Sequence, residues 1–209
     1  MPQITAIESQ KRRKAHRFNV FVDGQFSFAC DEKILADENL KIGQNITQAK
    51  IENIISEYEL SKNLDKVLNF LSFRPRSKKE IENYLKKKNL GEDEKKLILK
   101  KLEKLKMIND LEFAKFFVES RVKFRPKGKR LMAAELVQKG IARQIIEKVL
   151  QDAEISELDL AKEAISKNLP KFLKLPKFEA KNKIAQFLAR RGFPWETIKT
   201  IIDSQQDFR

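Results

Sequence analysis

The chain has 209 residues, 41% of them apolar, enough to bury a core and to exclude wholesale disorder. Its formal charge of +14, with a pI near 9.7, points first to an anionic partner; a Lys-rich coat on solvated helix faces is the plain alternative. A lone cysteine, Cys30, excludes an internal disulfide, and no run approaches the ~18 apolar residues of a membrane span, so a cytoplasmic, membrane-free protein is expected.

Residues 1–46 read as a small β extension. Phe18, Val20 and Val22 alternate with Asn19 and Phe21, and Phe26 and Phe28 alternate with Ser27 and Ala29. Asp23-Gly24 lies between them, a hairpin signal because a type I′ turn needs positive φ at both central residues. Ile4 to Glu8 offers a third strand. The basic run Lys11 to Lys14 reads equally as a solvated loop or a phosphate contact. Cys30, inside an apolar strand-like run, reads as a buried thiol.

From Thr47 the period becomes helical. Ile51, Ile54, Ile55 and Tyr58 fall on one helix face, predicting a linking helix over 47–63. Thereafter a phrase recurs: YLKKKNL (Tyr84 to Leu90), ELVQKGI (Glu135 to Ile141) and FLARRGF (Phe187 to Phe193). Its Leu residues (Leu85, Leu136, Leu188) are spaced by 51 and 52, the mark of tandem helical units. Each Leu follows an apolar residue four positions earlier (Ile81, Met132, Ile184).

Three repeats are expected, over 64–109, 110–155 and 156–209, each of three helices. First helices run Leu64–Leu71, Leu111 to about Lys123, and Leu158–Asn168. Second helices run about Ser77–Lys88, Lys129–Lys139 and Phe178–Arg191. Asn89, Gly140 and Gly192 stand where a left-handed residue ends a helix. Third helices turn inward Leu97/Ile98 with Leu102, Ile145/Ile146 with Val149/Leu150, and Thr197/Ile198 with Ile201/Ile202. The first copy carries about three extra residues in the turn before its third helix. Residues 1–63 are neutral, so the whole positive excess lies in the repeats.

Little here suggests catalysis. One His (His16), one Cys and no Gly-rich phosphate cradle leave no usual metal site, nucleophile pair or nucleotide motif, and no cofactor is expected. The informative polar feature is VKFRPKGKR (Val122 to Arg130), where Lys123, Arg125, Lys127, Lys129 and Arg130 crowd the entrance to the second repeat's second helix. FRPRSKK (Phe73 to Lys79) holds the same place one repeat earlier. Helix N-terminal amides beside Arg and Lys make an anion site; the partner could be a phosphate backbone or an acidic protein groove.

The stretches RPRSKKEIENYL (Arg74 to Leu85), INDLEFAKFFVESR (Ile108 to Arg121), KGKRLMAAELVQKGI (Lys127 to Ile141) and ARRGFPWETI (Ala189 to Ile198) closely resemble the RecX family of regulatory proteins. The resemblance covers roughly residues 64–204, with the motifs in the family's order. It implies a mainly α fold, an elongated tandem of three-helix, helix-turn-helix-like repeats with the N-terminal β-hairpin or sheet as an extension. It further implies a monomeric, non-enzymatic modulator that lies in the groove of the RecA–DNA filament and restrains filament growth, ATPase, strand exchange and co-protease activity, with roles in DNA repair, recombination and the SOS response. Weak, salt-sensitive contact with single- or double-stranded DNA is expected. The contact residues carried by the resemblance and the basic loops are Arg74, Arg76, Arg121, Lys123, Arg125, Lys127, Lys129, Arg130, Lys139, Arg190 and Arg191. Arg121 and Arg191 have a second reading, as helix C-caps or partners of Asp110 and its equivalents. Two other function classes remain: a helix-turn-helix repeat regulator that binds nucleic acid alone, and a helical protein-binding scaffold.

Overall fold

In the computed structural model, residues 1–10 and 17–205 are described; Lys11 to Lys14 and His16 lie outside them. Three antiparallel strands, β1 (Ile4–Ser9), β2 (Arg17–Val22) and β3 (Gln25–Asp31), form a meander in sequence order. Asp23 and Gly24 take φ of +49° and +79°, as the turn requires. A bulge between Val20 and Phe21 shifts the register, so that Phe21 faces Phe26 edge-on at 6.0 Å. That shift is why Phe26 stays exposed while Val20, Phe28 and Cys30 are buried. Burial, helped by the neighbouring Asp31 charge, pushes the Cys30 thiol up to about 11, which keeps it protonated and unreactive at neutral pH.

A short helix, α1 (Glu32–Asp37), follows the sheet, its first turn capped by the Asp31 carboxylate accepting from the Ile34 N–H at 2.8 Å. The Asp31 cap signal stands in the sequence, but a single turn gives too little periodicity to announce itself. Helix α2 (Gln48–Ser72) then packs on β3, and Ile51 and Ile54 join Ile4, Val20, Phe28, Ile34, Leu40 and Ile46 in one core. Ile55 turns outward. The expected break between the linking helix and the first repeat does not occur, because Tyr58 to Leu64 contains no Gly or Pro to stop a helix.

The chain divides into two compact units, Met1–Ser72 with Gly91–Ile98, and Phe73–Leu90 with Leu99–Arg209. The second repeat is a three-helix unit of α5 (Asp110–Phe124), α6 (Lys129–Gln138) and α7 (Arg143–Asp152), each packed on the other two. The third contains α8 (Glu157–Ile165), α10 (Lys177–Arg190) and α11 (Trp195–Asp203), likewise mutually packed. One unforeseen helical turn, α9 (Leu169–Phe172), fills the longer connection there, and Phe172 meets Phe187 edge-on at 5.9 Å. In the first repeat the corresponding helices are the end of α2, α3 (Lys78–Lys86) and α4 (Glu92–Lys104).

The recurring phrase is core and helix end. Ile81/Leu85, Met132/Leu136 and Ile184/Leu188 are all within 1% of complete burial. Asn89, Gly140 and Gly192 are left-handed at φ +53°, +82° and +81°. The third helix starts three residues after each of them in every copy, so the first copy's extra residues lengthen α4 by a turn instead of the loop before it. Within α4, Ile98 and Leu102 are buried but Leu97 is exposed, since it stands about 100° round the helix from Ile98 and farther still from Leu102. Among the described residues, no helix is long and apolar enough to cross a membrane.

Candidate functional site: two clefts at the repeat junctions

Successive second helices meet end to end by one rule. The N-cap Ser77 of α3 donates from its hydroxyl to the Lys139 carbonyl at the end of α6 (2.8 Å). The N-cap Gly128 of α6 donates from its backbone N–H to the Arg191 carbonyl at the end of α10 (2.9 Å). The first amide of each of these helices already has a carboxylate partner. Asp110 Oδ1 accepts from the Lys78 N–H (2.9 Å), and Glu157 Oε1 from the Lys129 N–H (2.8 Å). At these helix N-termini, where an anion site is expected from the sequence, a carboxylate from the next repeat's first helix already accepts from the first N–H. Asp110 is spent on this cap and does not pair with Arg121.

Beside each contact lies a cleft, built from equivalent positions about 51 residues apart in the loops and 47 apart in the first helices. The first holds about 220 Å³ and is lined by Arg74, Glu80, Phe113, Phe116, Phe117, Ser120, Arg121 and Lys139. Each of its cations is held in an ion pair. Glu80 accepts from both guanidinium nitrogens of Arg74 (3.0 and 3.2 Å) and from Lys139 (2.6 Å). Arg121 Nε donates to Glu135 at 2.9 Å while its guanidinium lies 4.4 Å over the Phe117 ring.

The second cleft holds about 680 Å³. Lys123, Arg125, Lys127, Lys167, Arg190 and Arg191 line it, against one carboxylate, Glu163. Lys127 pairs with Glu135. Among the described residues, no carboxylate forms an ion pair with Arg125, Lys167, Arg190 or Arg191. Arg191 stacks 4.4 Å over Phe187, which fixes its plane, and Lys123 lies 5.5 Å from the ring of Phe124. A cluster of same-sign groups in a partly enclosed space concentrates positive potential, which suits a polyanion.

Glu80 and Glu135 are the half-buried counterweights. Burial raises both carboxyls, but hydrogen bonds and charges from Arg74 and Lys139, and from Lys127 and Arg121, outweigh it and hold both below the ordinary carboxylate range. Such groups stabilise the fold above the unfolded value, about 4.3 for Glu, and lose that contribution as pH falls through the lower folded value. Resistance to urea should therefore fall as the pH drops from about 5 to about 3. The Glu80→Gln/Glu135→Gln double variant should show a flatter pH dependence; an unchanged slope would rule these pairs out as its source.

Of the sequence-predicted contact residues, Lys123, Arg125, Lys127, Arg190 and Arg191 come together in the second cleft, and Arg74, Arg121 and Lys139 in the first. Arg76 precedes α3, its guanidinium lowered by burial and by the nearby Arg74 despite Glu80. Lys129 and Arg130 begin α6 and line neither cleft. Sequence reasoning missed Lys167, although the 47-residue repeat places it opposite Ser120. It also missed the carboxylates Glu80 and Glu135, which decide which cations remain unneutralised.

Residues 2–47 match the family model of the regulatory protein RecX N-terminal domain, and 64–102, 109–150 and 155–202 match the RecX first, second and third three-helix domains. "Regulatory protein RecX" of Listeria monocytogenes serotype 4a (strain HCC23) is 38% identical over 199 residues, 95% of this chain and 74% of that protein. The chain belongs to the RecX family. The RecX protein of Bacillus subtilis (strain 168) is 34% identical, over 97% of this chain and 77% of its own length. A crystal structure of regulatory protein RecX superposes with a TM-score of 0.71 at 27% identity, covering 98% of this chain and all of that one. RecX from Lactobacillus salivarius superposes with a TM-score of 0.57 at 29% identity over 69% of this chain and 94% of that one. The RecX three-helix domains coincide with the repeats whose junctions form the two clefts.

Proposed function

We infer that this RecX-family chain is a regulator of the RecA recombinase that engages the RecA–DNA filament and restrains its growth, and with it ATPase, strand exchange and co-protease activity. The observation that carries the reading is the ordered run of four RecX domain matches along the chain. The second cleft supports it with a surface suited to a polyanion, and repetition supplies further contacts that add through effective concentration. Binding acts by occupancy; no bond of a substrate need be made or broken. The protein works as a cytoplasmic monomer in this reading.

The test is RecA ATPase on single-stranded DNA with the purified chain added. A progressive fall in turnover at or below stoichiometric ratios is expected, with a parallel loss of strand exchange. Full RecA activity at saturating protein would end the proposal. The inhibition should weaken steeply with added salt, since phosphate contacts release condensed counterions.

A further inference from the structure

The two clefts are built from the same positions, yet only the second holds cations outside every ion pair among the described residues, and a single position accounts for much of the difference. Glu80 of the first cleft corresponds to Leu131 of the second. Glu80 holds Arg74 and Lys139, whose counterparts are Arg125 and Arg191. Leu131 offers those counterparts nothing; its side chain instead packs against the Gly192 turn. On the opposite wall Ser120 is replaced by Lys167, a cation outside any ion pair among the described residues, while Arg121, which pairs with Glu135, is replaced by the neutral Asn168.

We propose that the junction of the second and third repeats, and not its twin, holds the phosphodiester backbone of a single strand, and that Leu131 is the residue that leaves this junction open to it. An exposed aromatic ring favours nucleic acid over an acidic protein. Phe124 lines the cleft with 71% of its surface in solvent, next to Lys123 and Arg125. Bases stack on such a ring whatever their identity, while flanking cations follow the phosphates; an acidic peptide has no use for the ring. Phe73, its equivalent, is 75% exposed next to Arg74 of the first cleft. The ring alone therefore does not separate the junctions. The carboxylate does.

The inference deepens the filament reading and rests on it for its biological setting, but its test needs no RecA. Binding of a short fluorescent oligothymidylate is followed by anisotropy across a salt series. Leu131→Glu should weaken binding by about tenfold and make the salt slope shallower by roughly one phosphate contact, whereas the uncharged Leu131→Gln should stay near the parent. Glu80→Leu releases Arg74 and Lys139 and should tighten binding several-fold, a gain that damaged folding does not produce. Phe124→Ala should lose affinity for the oligonucleotide.

Two results would overturn the proposal: Leu131→Glu and Glu80→Leu both binding like the parent, or polyglutamate displacing the strand as well as unlabelled oligonucleotide does while Phe124→Ala has no effect. RecA ATPase measured on the same variants separates the two readings. Lost strand binding with full RecA inhibition by Leu131→Glu sustains the cleft assignment and removes the cleft from filament control.

Discussion

Gly128→Ala is expected to destabilise the repeat array by about 3 kcal/mol, lowering its melting temperature by roughly 6–12 °C in a chain of this size. The backbone at Gly128 is ordinary, so the cost is steric. A Cβ there would stand well inside 3.0 Å of the Gly192 carbonyl, a backbone group that cannot step aside. The reason lies in how the two junctions close. At the first, Ser77 bridges to Lys139 through its side chain; at the second, Gly128 uses its own N–H, which sets its backbone directly against that of Arg191 and Gly192. Gly192→Ala adds a left-handed φ of +81° to a clash with Leu131 and should be at least as costly. Gly91→Ala meets nothing within 4 Å and is the control; it should melt near the parent. Differential scanning calorimetry decides: a Gly128→Ala variant melting with the control would mean the junction is looser than its geometry requires.

The second large effect is electrostatic. The triple variant Arg125→Glu/Lys167→Glu/Arg190→Glu should lose at least about 100-fold in affinity for RecA filaments on single-stranded DNA, with helicity unchanged. All three side chains are exposed and lie outside every ion pair among the described residues, so reversing them breaks no ion pair and gives up one exposed hydrogen bond, from Arg190 Nε to the Gln186 carbonyl. Reversing Lys41, Lys148 and Lys199 alters the net charge equally but touches neither cleft; that variant should lose far less. Equal losses would reduce the cleft to a share of general positive charge. Lys127, Lys129 and Arg130, also among the contact residues expected from sequence, are weaker targets. Lys127 is tied to Glu135, while Lys129 and Arg130 stand outside the cleft.

The periodic parts of this chain were legible in its residues. Ile81/Leu85, Met132/Leu136 and Ile184/Leu188 announce one buried stripe three times, and Asn89, Gly140 and Gly192 end the helices they were expected to end. Features without a period were not legible. The Val20/Phe21 bulge leaves no composition signal, and a single turn such as α1 or α9 is too short to show one. The site was half readable for a related reason. A basic loop identifies itself, but its neutralisation depends on residues such as Glu80 and Glu135 that reach it only through tertiary packing. Counting charge along the sequence placed the excess in the repeats; pairing in three dimensions concentrates it at one junction.

The length distribution of RecA filaments on single-stranded DNA, imaged directly with the parent chain and with the Arg125→Glu/Lys167→Glu/Arg190→Glu variant, tests the central claim most directly. Shortened or sparser filaments with the parent, and lengths matching RecA alone with the variant, are the predicted result. Filaments of unaltered length at saturating parent protein, or equal shortening by the variant, would contradict it.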